Sequence, residues 1–405
     1  MGGDGRDGSA ASCGHVSRAA CVRPTTAPAD VDLNGVRVER YETEMRRALD
    51  LAVRGWGRVS PNPMVGAVIV RDETVVGEGW HEGPGTDHAE IMALRRAGER
   101  ARGATVVCTL EPCNHFGRTP PCTRALIDAG VARVVVATID PNLDGEAPGL
   151  RELAGVGIET EVGPMATRAR RLNEAFERHV STGRPFVTLK MAASLDGKSA
   201  AADGTSRWIT GEEARSDVQR LRAGADAIVV GARTVVEDDP SLTVRDPRYT
   251  EARPPVRVLV DTAGRIPARG NVFDGSAPTL VATTDAALDA RVRAWGEAGA
   301  DVLVVDRDAH GGVSLRALMD ALGKRDVQGV LVEGGATLAW SFVRDALVDK
   351  VVMYVAPTLI GGADAPGVVA GVGFAPVSAA LQLDFEEVER FGRDLRLEAY
   401  VHRDR

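Results

Sequence analysis

The sequence is poor in several features that mark special classes of protein. Five cysteines occur among 405 residues, too few for a scaffold held together by disulfides. Aromatic residues make up only 4% of the chain. No apolar run reaches the roughly 18 residues that a membrane-spanning helix needs. These shortages exclude a disulfide-rich secreted scaffold and a membrane-spanning protein.

Positive charge is also scarce, because 49 Lys and Arg residues face 57 Asp and Glu residues and give a net charge of −8. General nucleic-acid binders and proteins of anionic membranes carry the opposite balance, so we expect neither partner. A local basic pocket for a small anionic substrate remains compatible with this charge. The length is typical of two or three domains, and 44% hydrophobic with 26% charged residues is typical of a globular protein. We expect a cytoplasmic location.

Helical and strand-like patterns alternate from Tyr41 onwards, which predicts an α/β architecture. Residues 64–80 contain two β-rich runs around a polar turn at 71–73 and indicate a hairpin. Residues 1–38 have no periodicity, and we expect a disordered tail, in which the spacing of Cys13, His15 and Cys21 matches no common zinc pattern. We divide the rest into a first domain over 39–165, a linker helix region over 166–183 and a second domain over 184–405.

A metal-binding pattern is the strongest signal in the chain. His88-Ala89-Glu90 is followed by Pro112-Cys113 and by Cys122. One imidazole and two thiolates fill three positions of a tetrahedral zinc site and leave the fourth to water, as in catalytic sites. Glu90 lies at a predicted helix start, where it can exchange protons with that water. The pattern is typical of zinc-dependent deaminases, here with eight residues between the cysteines.

Two other interpretations of these residues stay open. Cys113 and Cys122 could be buried thiols beside an ordinary histidine. A closed structural zinc site is also possible, but it needs a fourth ligand. Cys108 lies inside a predicted strand, and we expect it in the core.

Three segments carry a family resemblance: PNPMVGAVIV (61–70), GEGWHEGPGTDHAE (77–90) and TLEPCNHFGRTPPC (109–122). Together they resemble the bifunctional riboflavin biosynthesis deaminase–reductases, over about residues 41–400. The resemblance implies a cytidine-deaminase-like α/β/α domain with one Zn²⁺ per chain and Glu90 as the catalytic acid–base. It also implies a diaminopyrimidinone substrate with a phosphoribosylamino arm, contacted by Asn62, His81, His115 and Arg118. The plain alternatives are a turn at Asn62, between two prolines, and a solvated loop around His115 and Arg118.

A second pattern points to a nucleotide cofactor. In VLVEGGATLAWSF (330–342) a predicted strand runs into Gly334-Gly335 and then a helix. Such a turn suits a phosphate at the helix N-terminus, although it is also an ordinary strand–helix connection. Beside LKMAASLDGKSA (189–200), SRWITG (206–211) and GARTVVEDDPSLTVR (231–245), it resembles the reductase domain of the same family. That likeness implies a dihydrofolate-reductase-like α/β fold that uses NADPH.

The resemblance also assigns residues to the reductase site. Those implied for NADPH are Ala192, Trp208, Thr234, Asp238, Gly335, Ala336, Thr337, Leu338, Ala339, Trp340 and Ser341. Those implied for the substrate are Ser206, Arg222, Leu242, Arg245 and Glu333. Lys190 and Glu333 are our candidates for proton handling, with Lys190 on the same strand face as Thr188 and Ala192. Lys190 could instead be a surface lysine, Trp208 a core aromatic and Asp196-Gly197 a simple turn.

The sequence therefore predicts a bifunctional enzyme that deaminates and then reduces one small-molecule substrate. A relative with one active domain is an alternative. A base deaminase with a nucleotide-binding accessory domain would require basic and aromatic surfaces, which the composition does not favour. A non-catalytic, zinc-stabilised nucleotide sensor would not require Glu90, which is present. The resemblance further implies a homodimer or homotetramer.

Overall fold

The computed structural model describes residues 40–116, 120–143 and 146–402, with two short paired strands before them, β1 (Asp30–Val31) and β2 (Arg37–Val38). The remainder of the predicted tail, including Cys13, His15 and Cys21, lies outside the described residues. In the described part of the chain, no helix is long and apolar enough to cross a membrane.

The first half of the chain is built on a five-stranded sheet of order β4-β3-β5-β6-β7. The predicted hairpin is confirmed, since β3 and β4 pair antiparallel, and β5, β6 and β7 run parallel. The elements are α1 (Glu42–Ala52), β3 (Gly66–Arg71), β4 (Thr74–Trp80), α2 (Ala89–Ala97), β5 (Thr105–Cys108), α3 (Cys122–Ala129), β6 (Arg133–Val136), α4 (Pro148–Gly155) and β7 (Glu159–Val162).

Small residues bring helix α2 close to the sheet. Ala89, Ala93 and Ala97 recur every four residues on the buried face of α2, which is the spacing of a single helix face. Gly79 lies beneath them on β4, and a Cβ atom there would be 2.1 Å from the carbonyl oxygen of Ala89. The close approach fixes the first turn of α2 against the sheet. The residues at that turn are therefore held by the core.

Two helices, α5 (Ala166–Leu172) and α6 (Glu174–Thr182), connect the halves. Asn173 between them is buried, and its amide side chain bonds both the N–H and the C=O of Met64, at 2.8 and 2.9 Å. Gln328 of the second half donates to the carbonyl oxygen of Pro61 at 2.7 Å, and the Trp56 indole donates to that of Arg220 at 3.0 Å. The segment from residue 56 to residue 64 is thus hydrogen bonded to the linker helices and to the second half.

The second half is built on a nine-stranded sheet of order β12-β11-β10-β9-β13-β8-β14-β16-β15. The first seven strands of this order run parallel, and the last two form an antiparallel hairpin. The strands are β8 (Phe186–Ser194), β9 (Ala227–Gly231), β10 (Val256–Val260), β11 (Thr279–Thr283), β12 (Asp301–Val304), β13 (Gly329–Val332), β14 (Lys350–Ala356), β15 (Leu383–Phe391) and β16 (Asp394–Val401). The helices are α7 (Glu212–Ala223), α8 (Ala232–Asp238), α9 (Asp289–Glu297), α10 (Leu315–Gly323) and α11 (Ala336–Arg344).

The predicted α/β fold class is confirmed. Strands such as β9 and β13 are rich in Val, Ile and Leu and are almost fully buried, as expected of parallel strands covered on both faces. The core of the second half lies on both sides of these central strands. The β15–β16 hairpin was not predicted, because nearly every residue of β15 is exposed and no buried face marks it in the sequence.

Candidate functional site

The three predicted zinc ligands lie together, two at the starts of helices and one in a loop. His88 immediately precedes α2, Cys122 is the first residue of α3, and Cys113 lies in the loop after β5. The His88 Nδ1 atom is 3.2 Å from Cys122 Sγ and 3.5 Å from Cys113 Sγ, and all three ligand atoms lie within 4.8 Å of one another. Bond lengths of about 2.0 Å to nitrogen and 2.3 Å to sulfur place tetrahedral ligand atoms about 3.5–3.8 Å apart. The donor set and its spacing therefore fit zinc.

The electrostatics of the cluster also suit a metal. A hydrogen bond from Cys122, supplemented by one from His88, holds the pKa of Cys113 below its ordinary value, and a thiolate is the form that binds zinc. In the described part of the chain, no fourth His, Cys, Asp or Glu joins the three. This favours an open, catalytic arrangement over the closed structural one. Cys108 is fully buried in β5, as predicted.

Glu90 lies in the first turn of α2 and is only 3% exposed. Burial, with a smaller contribution from Cys113, raises the pKa of Glu90 to about 7. A carboxyl group with such a pKa can hold and release a proton near neutral pH. Its chemistry thus suits proton transfer beside the cluster.

His81 and Asn62 form a hydrogen-bonded pair next to this cluster. The His81 Nε2 atom is 3.0 Å from Asn62 Nδ2, and His81 Nδ1 is 3.2 Å from the carbonyl oxygen of Asp87. The carbonyl oxygen only accepts, so Nδ1 carries the proton and Nε2 accepts from the Asn62 amide. Burial lowers the pKa of His81, consistent with a neutral ring. The pair fixes which way the Asn62 amide points.

Of the two other residues expected to contact the substrate, the structure describes only His115. His115 is exposed, next to Phe116, which is 83% exposed. Arg118 lies outside the described residues.

In the second half, Arg222 and Glu333 meet in a buried, two-pronged ion pair. The distances are 2.6 Å from Arg222 Nε to Glu333 Oε1 and 2.9 Å from Nη2 to Oε2. Arg222 also donates to the carbonyl oxygen of Thr243. Burial by itself would raise the pKa of Glu333, but Arg222 outweighs it and the net pKa is lowered. Two residues 111 positions apart, both expected in the substrate site, are therefore in direct contact.

Lys190 lies beside this pair, half-buried on β8, so the interpretation as a surface lysine is wrong. Its Nζ atom is 6.0 Å from the ring centre of Tyr354. Burial, helped by Arg222, lowers the pKa of Lys190, while Glu333 acts in the opposite direction. A lysine with a lowered pKa gives up its proton more readily than a free one.

The predicted cofactor turn has the expected backbone form. Strand β13 ends at Val332, and Gly335 is exposed at the N-terminus of α11. A Cβ atom on Gly335 would be 3.6 Å from Thr234 Oγ1, so two of the residues expected to bind NADPH are adjacent. Three members of this set, however, are buried: Leu338, Ala339 and Trp340.

The remaining expected reductase residues lie at varied depths. Trp208 is 71% exposed beneath the Arg215 guanidinium, so the core interpretation of this residue is wrong. Asp238 is exposed and paired with Arg207. Leu242 is buried, with a positive φ of 50°.

The other residues expected in the reductase site differ in exposure. The exposed ones are Ser206, Arg245 and Thr337, and the half-buried ones are Ala192, Thr234, Ala336 and Ser341. Asp196-Gly197 is a turn, with Gly197 at φ 79°.

Tyr354 was missed by the sequence analysis. Its hydroxyl donates to Asp217 at 2.6 Å, and Asp217 also accepts from Arg396 at 3.0 Å. These contacts hold the tyrosine ring beside Lys190. Only the parallel pairing of β14 with β8, which sets Tyr354 opposite Ala192, brings the ring there, and that pairing is not visible in the sequence.

Comparison with known proteins identifies the family to which each half of the chain is similar. A family model described as the cytidine and deoxycytidylate deaminase zinc-binding region matches residues 38–138, and one described as the RibD C-terminal domain matches residues 185–397. The riboflavin biosynthesis protein RibD of Escherichia coli is 42% identical over 366 residues, which are 88% of this chain and 98% of that protein. The RibD protein of Aquifex aeolicus is 40% identical, covering 87% and 96%.

Solved structures give the same result. Acinetobacter baumannii RibD superposes with a TM-score of 0.80 at 39% identity, over 89% of this chain and 98% of that one. The diaminohydroxyphosphoribosylaminopyrimidine deaminase/5-amino-6-(5-phosphoribosylamino)uracil reductase of Thermotoga maritima gives 0.78 at 36% identity, over 89% and 99%. A cytidine-deaminase-like domain and a reductase domain thus share one polypeptide here. The chain belongs to the RibD family of bifunctional deaminase–reductases of riboflavin biosynthesis.

Proposed function

We propose that the chain deaminates 2,5-diamino-6-(5-phosphoribosylamino)pyrimidin-4(3H)-one hydrolytically with zinc and then reduces the ribosyl side chain with NADPH. The final product would be 5-amino-6-(5-phosphoribitylamino)uracil. The observation that carries this proposal is the His88, Cys113 and Cys122 cluster beside the buried Glu90, in a chain that also holds a reductase domain. The names of relatives support the choice of substrate.

In the deamination step, His88, Cys113 and Cys122 would hold one Zn²⁺. A zinc ion there would lower the pKa of a water towards about 7 and so supply the nucleophile. Glu90 would take a proton from the attacking water and pass it to the departing amine, which leaves as ammonia. Asn62 would orient the pyrimidine ring, with its amide direction fixed by His81. His115 and Arg118 would contact the substrate or its phosphate.

In the reduction step, bound NADPH would supply the hydride for C1′ of the opened sugar. The exposed backbone at the start of α11, with Ala192, Trp208, Thr234 and Asp238, would hold the cofactor. Arg222, Arg245, Ser206, Leu242 and Glu333 would bind the substrate. Lys190, with its lowered pKa, would supply the proton that accompanies the hydride.

The domain limits and the assembly are part of the proposal. We assign the deaminase to residues 39–165, the linker helices to 166–183 and the reductase to 184–405. We also propose a homodimer or homotetramer. The exposed apolar side chains of edge strand β15, at Leu383, Phe385 and Val388, support self-association, since unpaired edge strands invite pairing. Light scattering of the purified chain measures the assembly directly.

The testing experiment measures ammonia release from this substrate without NADPH, for the wild type and for Glu90→Gln, with NADPH then added and its absorbance followed. Ammonia from the wild type alone, followed by NADPH oxidation, is the expected result. Ammonia without later oxidation would leave a single-activity deaminase. No ammonia from zinc-loaded wild type would refute the substrate assignment, and activity on single-stranded DNA or RNA would then favour the base-deaminase alternative.

A further inference from the structure

Glu111 is a buried carboxylate that the two reactions leave without a role. It is 4% exposed and lies two residues before Cys113. Its Oε1 atom accepts from the backbone N–H groups of Gly149 and Leu150, at 2.8 and 3.2 Å, and its Oε2 atom accepts from that of Asp140 at 3.1 Å. Asp140 lies in the loop after β6, and Gly149 and Leu150 lie in the first turn of α4. One side chain thus fastens both places to the loop that carries a zinc ligand.

Backbone contacts of Glu111 and Pro112 also show that this loop lies close to its neighbours. The Glu111 N–H donates to the carbonyl oxygen of Thr138 at 2.9 Å. Gly149 lies so close to the zinc loop that a Cβ atom there would be 2.3 Å from the carbonyl oxygen of Pro112. Only glycine leaves room for this contact. Gly149, in the first turn of α4, therefore packs directly against the residue that precedes Cys113.

The segment around the second cysteine ligand, Cys122, is also in contact with α4. Thr123, next to Cys122, is fully buried, and its hydroxyl donates to Glu152 of α4 at 3.0 Å. The Thr123 N–H donates to the carbonyl oxygen of Cys113 at 3.1 Å, which ties the two cysteine segments together. Helix α4 thus contacts the neighbours of both thiolate ligands.

We infer that Glu111 is a positioning residue of the zinc site, which fixes Cys113 by fastening its loop to the amino end of α4, with Thr123 and Glu152 as the matching contact for Cys122. The inference rests on the proposed zinc site at His88, Cys113 and Cys122. Groups that orient metal ligands from outside the coordination sphere typically change metal affinity by about 10–100-fold when they are replaced. Glu111→Gln keeps the size of the side chain but places an NH₂ group against at least one backbone N–H.

The test compares the full-length wild type with Glu111→Gln and with Glu146→Gln. Glu146 lies just before α4 but is exposed and paired with Arg151, so it is the matched control. Zinc affinity is measured by competition with a chromophoric chelator, and site geometry by the visible spectrum of the Co²⁺-loaded protein. Reductase activity of the same chain reports on global folding. Glu152→Gln, a change on the protein surface, tests the Cys122 contact independently.

We expect zinc affinity to fall about 10–100-fold in Glu111→Gln, with an altered Co²⁺ spectrum and unchanged reductase activity, and to stay within twofold in Glu146→Gln. A smaller fall is expected in Glu152→Gln. Wild-type affinity and spectrum in Glu111→Gln would overturn the inference, as would a parallel loss of reductase activity, which would make Glu111 a general folding residue. If the wild type binds no zinc at all, the proposed function fails instead.

Discussion

Replacing Arg222 by methionine should destabilise the reductase half by an amount that the structure allows us to work out. Arg222 and Glu333 are only 12% and 8% exposed and share two hydrogen bonds. Removing one partner of such a buried pair costs about 3–5 kcal/mol, because the other charge stays buried. Lys190 is close enough to Glu333 to interact with it electrostatically, so we expect about 3–4 kcal/mol. At about 2–4 °C per kcal/mol for a domain of this size, Tm of the reductase transition falls by about 6–16 °C.

The double variant Arg222→Met with Glu333→Leu separates stability from function. With both charges gone, an apolar pair of similar size is expected to restore most of the lost stability. Reductase activity should remain abolished, because the proposed substrate contacts are absent. Differential scanning calorimetry measures the transitions, and ammonia release from the deaminase half serves as the internal control. A loss below about 1 kcal/mol in the single variant, or no recovery in the double variant, would refute our view of this pair as a buried, mutually neutralising contact.

Three further predictions concern single sites. Chelation of the metal should abolish ammonia release and leave NADPH oxidation with the deaminated intermediate unchanged, and equal loss of both would contradict separate sites. His81→Phe should raise KM for deamination about 5–13-fold, the value of one hydrogen bond of about 1–1.5 kcal/mol, with kcat changed less. Steady-state kinetics measures both, and an effect on kcat alone would argue against an orienting role through Asn62. Lys190→Met should lower the reductase kcat by about 10²-fold or more. NADPH binding, followed by fluorescence, should be retained. A normal kcat would show that Lys190 is not the proton donor.

The zinc cluster could be predicted from the sequence because two of its three ligands lie at the starts of helices whose patterns are clear. His88 stands directly before a helix with alanines every four residues, and Cys122 begins another helix. Such boundaries fix the direction in which a terminal side chain projects. The residue types then restrict the chemistry, since one imidazole and two thiolates suit zinc. Local sequence therefore contained most of what this site requires.

The reductase site was less predictable because it depends on strand order. Arg222 and Glu333 are 111 residues apart and meet because β13 lies between β8 and β9 in the sheet. The sequence shows that these strands exist, but periodicity contains no information about which strands are neighbours. The missed β15–β16 hairpin has a related cause. A strand that buries neither face lacks the alternation by which strands are recognised.

Glu111 shows where sequence-based prediction ends. Its neighbours in sequence, Pro112 and Cys113, mark it as part of a metal loop, but its partners are backbone N–H groups 29 to 39 residues away. Backbone groups are identical at every position except proline, so no residue type in the sequence indicates such a contact. Gly149 is the only residue type that hints at this contact in the sequence, and a glycine can be required at a position for many other reasons. Residues that orient a metal site through backbone contacts therefore have to be found in the structure, whereas the ligands themselves can be read from the chain.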